Sequence, residues 1–228
     1  MSQRNPVTVI SDNNRINRKM FELFCGGELK KHIQNPYDHN LKLFFLFDTV
    51  HLLKCLRNNW LNEPTKTFTV PQFDGDSTNE VSFQIIRDLY SAENCKFLKL
   101  APSLSQKVLF PSSFERQNVR YVLSLFNEKT ISAITIMNPD SSALVEFMNT
   151  ILKWWNIVNV KSSFMDVRKR LDDCSPISSI DSPNIKFLRK FVTWLEMWDI
   201  INFSDENVNK GRKSRRGKLS NETFVALH

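Results

Sequence analysis

Residues 42–62 read KLFFLFDTVHLLKCLRNNWLN. An unbroken apolar run, residues 43–47, gives way at Asp48 to a pattern of helical period. Val50, Leu53, Leu56 and Trp60 share one stripe with Leu52 beside it, while His51, Lys54, Arg57 and Asn58 lie off it. So short and bounded an apolar run suits a strand buried on both faces of a mixed or parallel sheet. A strand passing straight into a helix, with a carboxylate at the junction, is where α/β sheets place their sites. Asp48 can cap the helix or hold a metal, and the rest of the chain has to decide.

Upstream, NPVTVISDNNRINRKMFELF reads as a strand over residues 7–11, a cap at Asp12 or Asn13, and an amphipathic helix. Ile16, Met20, Leu23 and Phe24 are its expected core face. GGELKKHIQNPYDHN reads as a polar loop in which His32 and His39 face solvent. Residues 65–73, with prolines at 64 and 71, read as extended and irregular.

From Asn79 onward helices are expected. The first carries Val81, Phe83, Ile85, Ile86 and Leu89, and residues 113–137 follow with Val119, Val122, Leu123, Phe126, Ile131 and Ile134. Leu144, Phe147, Ile151, Trp154, Trp155 and Val158 form one aromatic-rich stripe; Phe187, Phe191, Trp194, Leu195 and Trp198 form another. Aromatics at this spacing belong to a core rather than to a ligand box. The fold class expected is α+β, predominantly α-helical: a short α/β piece to residue 62, then a helical region.

Six of the chain's basic residues fall in KGRKSRRGK, residues 210–218, and without them the net charge of +7 nearly vanishes. That stretch is a phosphate-contacting or nuclear-import segment, or else a solvated loop. The four cysteines, Cys25, Cys55, Cys95 and Cys174, are too scattered for a zinc site and read as free thiols. No Ser/His/Asp or Cys/His spacing supports a hydrolase, and no apolar run reaches membrane-spanning length. LSNETFVALH, at the end of the sequence, reads as a capped helix start.

FDTVHLLKCLRNNWL resembles the F-D-x-x-H-L-x-K-x-x-R-N signature of transposases related to the P element, including those with a THAP domain. ISDNNRINRKMF, the stretch from LAPSLSQKVLF to LFNEKT, WWNIVNVKS and LSNETFVALH are similar to further parts of that family. The resemblance implies a partial RNase H-like domain over residues 1–62 and a helical GTP-binding insertion over 63–203. Over 204–228 it implies a basic loop and the start of the returning RNase H-like segment. It further implies a nuclear protein that acts on DNA at transposon ends and assembles with full-length transposase.

Such enzymes hold two Mg²⁺ ions with three carboxylates, and hard oxygen ligands suit that ion. By this resemblance Asp48 is the second carboxylate, with the first upstream of Met1 and the third beyond His228. A chain with one carboxylate of three is expected to be catalytically incomplete. Ser103, Val119, Asn127, Trp155, Asn156 and Asn159 are the GTP-site positions carried over from the family. Ser103 stands where the family has lysine, and Asn156 where it has aspartate. An amide cannot accept from both guanine donors, and the loss should cost about 1–3 kcal/mol. Lys54, Arg57, Lys210, Arg212, Lys213, Arg215 and Arg216 are the expected DNA contacts. The alternative is a host-recruited, non-enzymatic nuclear module that binds DNA or protein.

Overall fold

The computed structural model describes residues 7–63, 66–160, 162, 164, 167, 168 and 171–208, with side chains described through residue 201. The first unit is a three-stranded sheet in the order β1-β3-β2. Strand β1 (Thr8–Ser11) lies parallel to β3 (Lys42–Phe47), with Val9 opposite Phe45 and Ser11 opposite Phe47. Parallel neighbours need a crossover, and helix α1 (Arg15–Phe24) lies in that connection. Strand β2 (His32–Gln34) pairs antiparallel with β3. The expected loop therefore contains a strand, one too short to leave a periodic trace in the sequence. His32 is exposed, as expected, but its ring lies 5.5 Å from Phe44.

Strand β3 is not buried on both faces. Leu43 and Phe45 are buried, whereas Phe44 is 42% and Leu46 51% exposed. The covered face packs on Phe21, whose ring centroid lies 4.8 Å from that of Phe45, and on Cys25. Helix α1 is correspondingly turned from the expected face. Ile16 and Leu23 point outward at 79% and 69% exposure, and Phe21 makes the core contact. The N-cap is Asn14, whose side chain accepts from the Asn17 N–H at 2.9 Å. Asp12 instead accepts from the side chains of Asn14 and Asn17 through Oδ1, at 2.6 and 2.5 Å. Gly26 and Gly27 end the helix at φ of 81° and 113°, values that suit residues without a Cβ.

Helix α2 (Thr49–Asn62) leaves this sheet and enters a larger core. At its centre is a hairpin of β4 (Thr67–Pro71) and β5 (Thr78–Ser82), with Phe68 opposite Val81. Strand β4 falls within the stretch expected to be extended, but β5 replaces the start of an expected helix, because Val81, Phe83 and Ile85 fit period two as well as period 3.6. Helix α3 (Gln84–Glu93) begins only after Phe83. Helix α4 (Gln106–Leu109) and a 3₁₀ turn at Glu115–Gln117 follow. The 113–137 stretch is divided among that turn, α5 (Val119–Leu125) and α6 (Glu128–Met137). Asn118 and Asn127 cap the latter two with side-chain oxygens, compatible with their poor helix-interior preference.

Helices α7 (Ser142–Val158) and α8 (Pro183–Val208) carry the two aromatic stripes. Leu144, Phe147, Ile151, Trp154 and Trp155 are buried on α7, and Phe191, Trp194, Leu195 and Trp198 on α8. Trp60 stacks on Phe68 at 5.8 Å and meets Phe83 and Phe147 edge-on at 5.1 and 5.2 Å. The Trp60 indole donates to the carbonyl of Val81 at 3.2 Å, and that of Trp194 to Pro71 at 2.7 Å. The hairpin is thus held by ring packing and by two indole bonds, each satisfying a backbone acceptor. No helix among the described residues is long and apolar enough to cross a membrane.

Candidate metal and nucleic-acid site

Asp48 sits at the C-terminal end of β3, where its own N–H donates to the Ser11 carbonyl at 2.7 Å and ties the two parallel strands together. Its Oδ1 accepts from the N–H of Val50 at 3.1 Å and its Oδ2 from that of His51 at 3.3 Å. Two otherwise unpaired helix donors are satisfied, so Asp48 is the N-cap of α2. Each oxygen retains a lone pair and could still face a cation.

The register adds Asp12, whose place in the sequence suits a helix cap. Ser11 is opposite Phe47 in a parallel pair, so Asp12 and Asp48 follow at the same edge of the sheet. Asp12 is exposed and only its Oδ1 is engaged by side chains among the described residues. The signal in the sequence was the repetition itself: an apolar strand, an aspartate, then a helix, twice within residues 7–62. The outer rim of parallel strands at their carboxyl ends is the usual ligand-facing position. No group of three or more His, Cys, Asp or Glu side chains suited to a metal occurs among the described residues. Two carboxylates at one edge suit a single hard cation; they do not make up a two-metal site.

The expected DNA contacts fare unequally. Lys54 is half-buried on α2. Arg57 is fully buried, with Nη2 donating to the Arg116 carbonyl at 2.9 Å. It therefore cannot touch a duplex laid against the surface. Burial, and next the charge of Arg116, push the Arg57 pKa down to about 10. Lys210, Arg212, Lys213, Arg215 and Arg216 lie outside the described residues.

Of the nucleotide-site candidates, Ser103 and Asn127 are brought together. Asn127 Nδ2 lies 3.2 Å from Ser103 Oγ and donates to the Ser124 carbonyl at 2.7 Å; Ser103 Oγ donates to that carbonyl at 3.1 Å. These atoms serve to anchor the start of α6. Val119 is half-buried at the start of α5. Trp155 and Asn156 are buried on α7, and Asn159 is its C-cap. No hydrogen bond among the described residues links this second group to the first.

The Transposable element P transposase of Drosophila melanogaster is 24% identical over 165 residues, 69% of this chain and 20% of that protein. A chain of the Drosophila P element transposase strand transfer complex superposes at a TM-score of 0.71 with 19% identity. The chain resembles P element transposase in sequence and in fold. The structural match covers 97% of the P-element-like chain and 46% of its counterpart, so this chain spans less than half the length of either relative. No protein-family model matches the sequence. The P-element-like fold is α+β, with an RNase H-like sheet unit followed by a helical region.

Proposed function

We propose that this chain is a piece of a cut-and-paste DNA transposase of the P-element kind and that it does not cleave or join DNA alone. Residues 1–62 would belong to the RNase H-like domain, 63–203 to a GTP-binding-type insertion and 204–228 to the returning segment. The observation that carries this reading is the placement of Asp12 and Asp48 at one edge of parallel strands, each leading into a helix. The likeness to a P transposase over 165 residues supports it.

Asp12 and Asp48 are the side chains that would hold a divalent ion. A Mg²⁺ there would supply Lewis-acid stabilisation of phosphate oxygens. The protein's own contribution is to position the acids: the Asp48 N–H bond to Ser11 fixes the strand ends, and the α2 amides orient the Asp48 carboxylate. No third carboxylate joins Asp12 and Asp48 among the described residues, and a metal pair held by two acids loses much of its neutralising charge. GTP would bind weakly if at all, since Ser103 brings no cation and its hydroxyl is tied to Ser124. DNA as partner, assembly with full-length transposase and a nuclear location are parts of the same proposal.

A supercoiled-plasmid assay with Mg²⁺ or Mn²⁺ tests it. The purified chain should leave the plasmid intact. Nicking that disappears in Asp48→Ala would overturn the claim of inactivity.

A further inference from the structure

The last turn of α2 gathers cations that have no use in the proposed metal site. Arg116 donates from Nη1 to the Asn62 side-chain oxygen. Lys66 Nζ donates to the carbonyls of Leu61 and Glu63. Both heads therefore lie over the same turn. Arg57 stands behind them, fully buried, bonded to the Arg116 carbonyl and with Nε and Nη1 unpartnered. Arg87 flanks them on α3, its guanidinium 4.3 Å from the Phe110 ring centre and its buried Nε unpartnered.

Acids do not balance this group. Ion pairs form elsewhere, as in Lys19 with Glu22 and Lys153 with Asp173, but none of these four cations has one among the described residues. Glu63 is the acid that Lys66 feels, against Arg87 and Arg116 together. Glu115, next to Arg116 in the chain, is turned toward the Ser112 N–H at 2.9 Å and Lys107 at 3.8 Å. Arg116 and Lys66 are half-buried cations without an ion pair among the described residues, and cations so placed suit an anion that accepts several hydrogen bonds at once.

We infer that Arg116 and Lys66, backed by Arg57 and flanked by Arg87, form a binding site for a phosphate-bearing ligand. Arg116 and Lys66, both half-buried, make the contacts. Arg57 acts through its field, since its nitrogens are closed off from the surface. Phe114, 89% exposed and two residues before Arg116 in the chain, is a ring of the kind on which bases stack if the phosphates belong to a nucleic-acid strand. The site does not depend on the transposase reading, because it rests on the charge and geometry of these residues alone.

The test is titration of the whole chain with tripolyphosphate, and separately with a short single-stranded oligonucleotide, followed by thermal shift at low salt. Tripolyphosphate should raise the Tm, and Arg116→Gln should weaken its binding about tenfold or more. Arg116→Lys should recover part of the loss, which separates charge from folding. Lys19→Gln, an equal charge change on α1, should leave binding unaltered. Binding of the oligonucleotide as well assigns the phosphates to a nucleic-acid strand; binding of tripolyphosphate alone assigns them to a small compound, and either outcome supports the site. No Tm rise with tripolyphosphate, or equal weakening by Arg116→Gln and Lys19→Gln, would overturn it.

Discussion

The Trp194 indole N–H donates to the carbonyl oxygen of Pro71 at 2.7 Å, joining residues 123 positions apart. Pro71 is buried, so no water replaces a lost donor. Trp194→Phe keeps most of the ring packing against Phe191 and Trp198 but removes the donor. It should lower the unfolding free energy by about 1–3 kcal/mol, read from urea denaturation.

Glu93 is buried, and its two oxygens accept from the N–H groups of Leu100 at 2.8 Å and Ala101 at 3.1 Å. It staples a loop whose tip leaves Phe97 and Leu98 fully or largely exposed. Glu93→Ala should destabilise the protein by about 1–3 kcal/mol. Limited proteolysis should then cut first within residues 94–100.

Arg57 presents the opposite case, a buried cation with one hydrogen bond and no counter-charge among the described residues. Replacement of buried ionic groups by apolar residues of similar volume is often neutral or stabilising. Arg57→Met should therefore leave stability unchanged or raise it by about 1–4 kcal/mol in denaturant unfolding. A loss of several kcal/mol would show that its unpartnered nitrogens are satisfied in solution.

The Glu115 carboxyl is held below its ordinary pKa, first by the hydrogen bonds from Ser112 and then by Lys107. A depressed carboxylate pKa gives stability that is present above the unfolded value and lost as pH falls through the folded one. The Tm difference between the wild type and Glu115→Gln should be visible at neutral pH and vanish in strong acid.

The parts of this fold that were legible in the sequence are those built on large rings at helical spacing. The stripes from Leu144 to Trp155 and from Phe191 to Trp198 are core because no other arrangement buries so many aromatics. Of the β4–β5 hairpin only the extended course of residues 65–73 was legible; β5 was not, since Val81 and Phe83 satisfy two periods and the pairing of Phe68 opposite Val81 is a tertiary choice. Arg57 left a usable sign: it lies four residues after Leu53 and three before Trp60, both fully buried, and so on the buried side of α2. The Asp12–Asp48 relationship depends on strand pairing, and pairing partners are fixed by tertiary contacts rather than by local pattern.

In the function proposed, Asp12 and Asp48 together face one cation and do not form a two-metal centre. Electron paramagnetic resonance during Mn²⁺ titration measures this directly, because bound and free Mn²⁺ give different signals. A single weakly bound ion per chain is expected, lost in Asp12→Asn and weakened in Asp48→Asn. Two tightly bound ions per chain, or binding indifferent to Asp12→Asn, would contradict it.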